Sequence, residues 1–260
     1  MSVSADNRPL GVFDSGIGGL SIVREMQRLM PSEHLIYASD AAFVPYGDRD
    51  EEFICERSLY LAEALIGRDI KALVIACNTA TAAAAEMLRA RFDLPIIGIE
   101  PAVKPATVAT STGIIGILAT ASTLGSRRYA DLLRRFGHFA KVINQPCPGL
   151  VDAIESDEMN VENVRSMLQG FIDPLVQQGA DTLVLGCTHY PLVIDLIRET
   201  AGADVRIVDP GLAVARRVLD LIDPCAEQTG TLTCLTTGDA AVQARQFSRI
   251  LGCQVAVKVL

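Results

Sequence analysis

The sequence predicts an α/β fold made of two similar, pseudo-symmetric parallel-sheet domains facing across a central cleft. Three observations predict it. Short, continuous apolar runs alternate with amphipathic stretches, the pattern of parallel strands covered by helices on both faces. Landmarks of the first half recur downstream at a nearly constant offset. The chain has 260 residues, half of them hydrophobic, enough for the cores of two domains of about 130 residues each.

In chain order, strand-like runs are read at Leu10–Phe13, Leu35–Ala38, Ala72–Ala76, Ile96–Ile99, Ile114–Leu118, Leu183–Leu185 and Val205–Val208. The apolar residues of Gly19–Met30, Ile54–Arg68, Thr79–Phe92, Ser126–Phe136, Val161–Gln178 and Pro191–Thr200 recur at helical spacing. The remaining tail carries one helical pattern, Ala213–Ile222, and two strand-like runs, Thr231–Leu235 and Val255–Val259. One uncharged stretch, Pro105 to Ser126, is long enough to span a membrane. It is rich in Thr, Ser and Gly and broken twice by turn-like residues, so a buried strand with flanking loops is expected there.

The repeat sets the domain boundaries. Lys71-Ala-Leu-Val-Ile-Ala-Cys77-Asn-Thr reads like Asp181-Thr-Leu-Val-Leu-Gly-Cys187-Thr-His, an offset of 187 − 77 = 110. Glu100-Pro101 and Asp209-Pro210 match at 209 − 100 = 109, and Gly11-Val-Phe-Asp14 matches Gly116-Ile-Leu-Ala119 at 105. Three landmarks in register imply two related halves. The tail is too short for a further domain and is expected to pack onto the first half. The expected division is residues 1–100 plus 211–260, and 101–210.

Composition excludes several function classes. With 31 acidic against 23 basic residues the formal charge is −8, which argues against nucleic acid or an anionic membrane as partner. The basic cluster Arg127, Arg128, Arg134 and Arg135 reads as one solvated helix face. An anionic small molecule stays open, because backbone N–H groups and helix starts can bind it. The seven cysteines show no CxxC pair or regular spacing, which speaks against a disulfide framework or a zinc site. The opening MSVSADNRPL lacks an apolar core for a secretory signal. A reduced, cytoplasmic protein with free thiols and no metal is expected.

Two of the seven cysteines stand out. Cys77 and Cys187 each end an apolar strand and precede a helical pattern. Asn78 and Thr79 are good helix N-cap types, and Pro191 suits a first helical turn. Ligands of parallel α/β sheets bind at the carboxyl ends of strands, and a thiol at a helix start is readied for proton transfer. Two such thiols fit one reaction class well: removing a proton from one face of a carbon centre and returning one to the other. The loop Asp14-Ser-Gly-Ile-Gly-Gly-Leu20 also leaves a strand and opens a helix. Its glycines suit an anion cradle, but Ser21 stands where a dinucleotide fingerprint needs its third Gly. Cys55, Cys147, Cys225, Cys234 and Cys253 lack a strand-end setting with polar neighbours and read as structural.

Four segments, Phe13-Asp-Ser-Gly-Ile-Gly-Gly-Leu, Val44-Pro-Tyr-Gly, Cys77-Asn-Thr-Ala and Gly186-Cys-Thr-His-Tyr-Pro, together resemble the signature segments of the glutamate racemase family. That family belongs to the cofactor-independent aspartate/glutamate racemase superfamily. The resemblance implies interconversion of L- and D-glutamate without PLP, metal or nucleotide, feeding peptidoglycan precursor synthesis in the cytoplasm. It implies Cys77 and Cys187 as catalytic acid/bases, with Asp14 and His189 assisting them. It further implies Asp14, Ser15, Tyr46, Gly47, Asn78, Thr79, Thr188 and His189 as substrate-binding positions, and Thr120 as another carboxylate-binding hydroxyl. Glu155, after Pro148-Gly-Leu-Val, matches a family acid near the second thiol more loosely. Family members are often dimers, so a homodimer is expected. From the residues alone, another amino-acid racemase, a related decarboxylase or isomerase, and a non-catalytic anion-binding module remain open.

Overall fold

The computed structural model describes residues 6–223, 225 and 229–260; the first five residues of the opening segment lie outside them. The chain begins with β1 (Leu10–Asp14), α1 (Leu20–Leu29), β2 (Leu35–Ser39), α2 (Glu51–Ile66), β3 (Ala72–Ile75), α3 (Asn78–Arg91) and β4 (Ile96–Gly98). It continues through α4 (Val103–Ala109), β5 (Ile114–Ala119), α5 (Ala121–Gly125), α6 (Arg127–Phe136), β6 (Lys141–Pro146), α7 (Leu150–Glu155), α8 (Val161–Gln177), β7 (Thr182–Gly186), α9 (Ile194–Ala201) and β8 (Arg206–Val208). The tail adds α10 (Gly211–Leu219), β9 (Leu232–Thr236), α11 (Ala240–Leu251) and β10 (Val257–Val259). Two compact units result: Met1–Ile99 with Gly211–Leu260, and Glu100–Pro210.

The first unit holds a parallel sheet in the order β10-β9-β2-β1-β3-β4. The chain steps one way from β1 to β2 and the other way from β2 to β3. Because crossovers between parallel strands are right-handed, α1 and α2 are set on opposite faces. The packing agrees: α1 lies with α10 and α11, and α2 with α3. Strands buried on both faces need apolar side chains throughout, and β1 and β3 are wholly buried. Phe13, Leu61, Leu65, Leu73, Ile75 and Leu88 share one core cluster. Burying one such leucine stabilises the fold by about 1.5–3 kcal/mol.

The second unit holds a parallel sheet in the order β6-β5-β7-β8. This repeats the order β2-β1-β3-β4, so the sequence repeat is a repeat of strand topology. Here α4 packs with α6, and α8 with α9. Val103, Ile115, Ile117, Tyr129 and Val184 form the core cluster beside α4 and α6.

Several expectations require correction. The stretch Pro105 to Ser126 does contain a buried strand, β5, but short helices rather than loops flank it. Helix α3 is capped by Cys77 itself, whose sulfur accepts the Ala80 N–H at 3.4 Å, and Asn78 is already helical. The tail has a second helix, α11, capped by Asp239. β6 and the short helices α4, α5 and α7 were not expected. After Cys187 a 3-10 turn, Tyr190–Val193, precedes α9. No helix among the described residues is long and apolar enough to cross a membrane. The Arg cluster is partly neutralised, Arg128 by Glu100 and Arg134 by Asp131.

Candidate functional site

In each sheet the strand order reverses at one point, and ligand sites of open α/β sheets lie at the carboxyl ends of strands there. In the first unit the reversal lies between β1 and β3. Asp14 ends β1, Ser15 follows it, and Cys77 lies two residues beyond the end of β3. In the second unit it lies between β5 and β7, followed by Thr120 and Cys187 respectively. The candidate residues therefore form two clusters, each at the same topological place in its own unit.

In the first cluster Cys77 Sγ lies 3.8 Å from Ser15 Oγ. The buried Asp14 carboxylate accepts the Gly19 N–H at 2.6 Å, which ties the Gly-rich loop to the start of α1. A side chain at Gly19 would sit 2.7 Å from Asp14 Cβ and 2.9 Å from the Tyr37 ring, so only Gly allows this approach. Tyr46 is buried and donates its hydroxyl to Asp40 at 2.6 Å. Burial, with the Asp40 charge beside it, pushes that phenol well above its ordinary range. Gly47 follows in the same 3-10 turn, Tyr46–Asp48. Thr79 and Asn78 are buried at the start of α3, and Asn78 Oδ1 and Nδ2 have no hydrogen-bond partner among the described residues. Buried polar atoms are nearly always satisfied, which sets this amide apart from its neighbours.

In the second cluster Cys187 Sγ lies 3.7 Å from His189 Nδ1, and His189 Nε2 lies 2.5 Å from Glu155 Oε1. Burial opposes a charge on His189, but hydrogen bonds to Cys187 and Glu155 and the Glu155 charge outweigh it. The imidazole is held protonated well above the ordinary histidine value. Glu155 ends α7, so the chain does bring it to the second thiol's histidine. Thr188 is buried beside Cys187. Thr120 caps α5: its Oγ1 accepts the Thr123 N–H and donates to Thr123 Oγ1 at 2.9 Å.

The five remaining cysteines do not all fit the structural reading. Cys147 follows β6 directly, and its N–H donates to Ala119 O at the end of β5. It therefore has a strand-end setting after all, which the sequence hides because no continuous apolar run marks β6. Burial pushes its thiol up to about 12, with the Tyr190 hydroxyl acting the other way and Cys187 adding to the rise. All seven cysteines are free thiols. Asp40 was missed as well; its only sequence signal was an acid directly after the apolar run of β2. No group of three or more His, Cys, Asp or Glu residues that could hold a metal ion occurs among the described residues.

The model of the Asp/Glu/Hydantoin racemase family matches residues 12–218. The chain is 51% identical over 215 residues to glutamate racemase of Ectopseudomonas mendocina, covering 82% of each chain. Among solved structures it resembles a glutamate racemase isoform from Bacillus anthracis, with TM-score 0.90, 32% identity and 97% of both chains covered. It also resembles Escherichia coli glutamate racemase in complex with L-glutamate and the activator UDP-MurNAc-ala. That match has TM-score 0.85 and 31% identity, with 97% of this chain and 98% of that one covered.

Proposed function

The chain belongs to the Asp/Glu/Hydantoin racemase family and is an amino-acid racemase, and from that premise we propose that it interconverts L- and D-glutamate by proton transfer between Cα and two thiols. The observation that carries the reading is the duplicated placement: Cys77 and Cys187 lie at equivalent strand ends of two sheets in which four corresponding strands, β2-β1-β3-β4 and β6-β5-β7-β8, run in the same order. Each has its own proton-handling surroundings, Ser15 and the start of α3 for Cys77, His189 and Glu155 for Cys187.

In this mechanism one sulfur, as thiolate, takes the Cα proton while the other, as thiol, delivers a proton to the opposite face. The roles exchange for the reverse direction. His189, cationic and anchored by Glu155, steadies negative charge on Cys187 and can return a proton to its sulfur. Asp14 holds the Gly-rich loop against α1 and so fixes Ser15 beside Cys77. Ser15, Asn78, Thr79, Thr120, Thr188 and the Tyr46-Gly47 turn hold the substrate carboxylates. The Asn78 amide, which has no hydrogen-bond partner among the described residues, supports that assignment most directly. No PLP, metal or nucleotide takes part. In the same reading the protein is cytoplasmic and homodimeric, and its D-glutamate supplies peptidoglycan synthesis. The activator named with the Escherichia coli neighbour, UDP-MurNAc-ala, is in keeping with that last link.

The test is incubation of the purified protein with L-glutamate in heavy water. The expected result is decay of optical rotation with deuterium entering at Cα. Absence of both, or exchange with aspartate but not glutamate, overturns the reading.

A further inference from the structure

Asp40 is buried directly after β2, and all of its partners lie in the first unit. Four hydrogen bonds converge on its carboxylate. Tyr46 Oη donates to Oδ2 at 2.6 Å, and the Arg57 guanidinium donates to both oxygens at 2.9 and 2.7 Å. Thr237 Oγ1 donates to Oδ1 at 2.8 Å. Its own N–H donates to the Asp14 carbonyl at 3.0 Å. Asp40 thus joins the end of β1, through its N–H, to the Pro45-Tyr46-Gly47 turn, α2 and the C-terminal segment, through its carboxylate.

The C-terminal segment is placed by strand pairing. Ser39 of β2 is in register with Thr236 of β9, so Asp40 and Thr237 leave neighbouring strands side by side. Thr237 Oγ1 also accepts the Ala42 N–H at 3.2 Å. A side chain at Gly238 would approach Ala41 Cβ to 2.9 Å, so this close crossing requires Gly. Arg57 grips the same loop a second time, with its guanidinium 4.0 Å from the centre of the Phe43 ring. The Asp40–Tyr46 loop is therefore held at both ends and in its middle by charge-assisted contacts.

We infer that Asp40 is a positioning residue for the substrate-binding Tyr46-Gly47 turn, and that Thr237 of the C-terminal segment completes it. The inference rests on the proposed glutamate racemisation and deepens it. The turn binds substrate without touching the moving proton, so loosening it weakens ground state and transition state alike. That signature is a raised KM at unchanged kcat. A purely structural part for Asp40 gives the opposite: fewer folded molecules, hence a lower apparent kcat at unchanged KM.

The test is steady-state kinetics with glutamate on the full chain and its Asp40→Asn, Thr237→Val, Thr237→Ser, Tyr46→Phe and Asp40→Asn/Tyr46→Phe variants. Asp40→Asn presents an amide N–H to groups that are all donors, and KM should rise about tenfold or more. Thr237→Val keeps the shape without the hydroxyl and should raise KM about fivefold, while Thr237→Ser restores it. Because Asp40 acts through Tyr46, the double variant should be no worse than the more impaired single one. Unchanged KM with reduced kcat, equal behaviour of Thr237→Val and Thr237→Ser, or additive effects in the double variant overturns the inference. If Asp40→Asn does not fold, the Thr237 pair decides alone. An inactive wild type is a failure of the racemisation reading, and the inference falls with it. An active wild type with unaffected variants is a failure of the inference alone.

Discussion

The His189–Glu155 contact makes the most quantitative prediction. Glu155→Gln keeps the length and one acceptor oxygen of the side chain, so the hydrogen bond to His189 Nε2 can persist while the charge is lost. A hydrogen bond that carries a charge contributes about 1.5–3 kcal/mol, against about 0.5–1.5 kcal/mol for a neutral one, and losing the carboxylate charge takes a step of that size from the bond to the imidazolium. The difference, about 1–1.5 kcal/mol, corresponds to about one pH unit in the histidine titration. Both side chains are largely withdrawn from solvent, His189 at 2% and Glu155 at 11% exposure, so screening by water takes little from that figure. The assay is ring 15N NMR against pH, which is tractable because the chain has three histidines. Wild-type His189 should titrate well above the ordinary value near 6.5, and the variant about one unit lower. The linkage has a definite sign. A folded-state value raised above the unfolded one contributes stability that is full below about pH 6.5 and disappears as pH rises through the raised value. The variant should therefore lose the most Tm relative to wild type at mildly acidic pH, and the gap should close in alkali. A variant His189 that titrates with the wild type, or higher, would refute the reasoning.

Two further substitutions separate function from stability. Asn78→Ala removes buried polar atoms that have no hydrogen-bond partner among the described residues. Tm should hold or rise while the KM for glutamate increases about tenfold, as measured by thermal melts and initial rates on the same preparation. Lys71→Met does the reverse. Lys71 pairs with Glu33 at 2.6 Å, both side chains 3% exposed, and also donates to the Asp6 and Asp223 carbonyls. Leaving the Glu33 carboxylate, which also accepts the Cys225 N–H, buried without its counter-charge should cost about 3–5 kcal/mol in urea unfolding, with KM unchanged in the molecules that remain folded.

The repeat was legible because it is written where burial is complete. β1, β3, β5 and β7 are central strands whose residues must be apolar on both faces, and the candidate residues Ser15, Cys77, Thr120 and Cys187 come within two residues of their ends. β6 was illegible because it is an edge strand: Lys141, Asn144 and Pro146 are exposed, so no apolar run marks it. Missing β6 also hid the strand-end setting of Cys147. α11 escaped notice because two of its three buried residues are Gln243 and Gln246, which hydrogen-bond each other, so its inner face reads as polar. α5 and α7, of five and six residues, are too short to display a helical period. The Glu155–His189 pair joins residues 34 apart, and Asp40 meets Thr237 across 197. Only strand order makes such neighbours, and no local pattern encodes it.

The account depends on two thiols acting at one carbon. Its most direct test is the rate of change of optical rotation, starting separately from L- and D-glutamate, for wild type, Cys77→Ala and Cys187→Ala, each shown to be folded by circular dichroism. The two-thiol account predicts racemisation in both directions by wild type and none by either variant. Full racemase activity in either folded variant would contradict it.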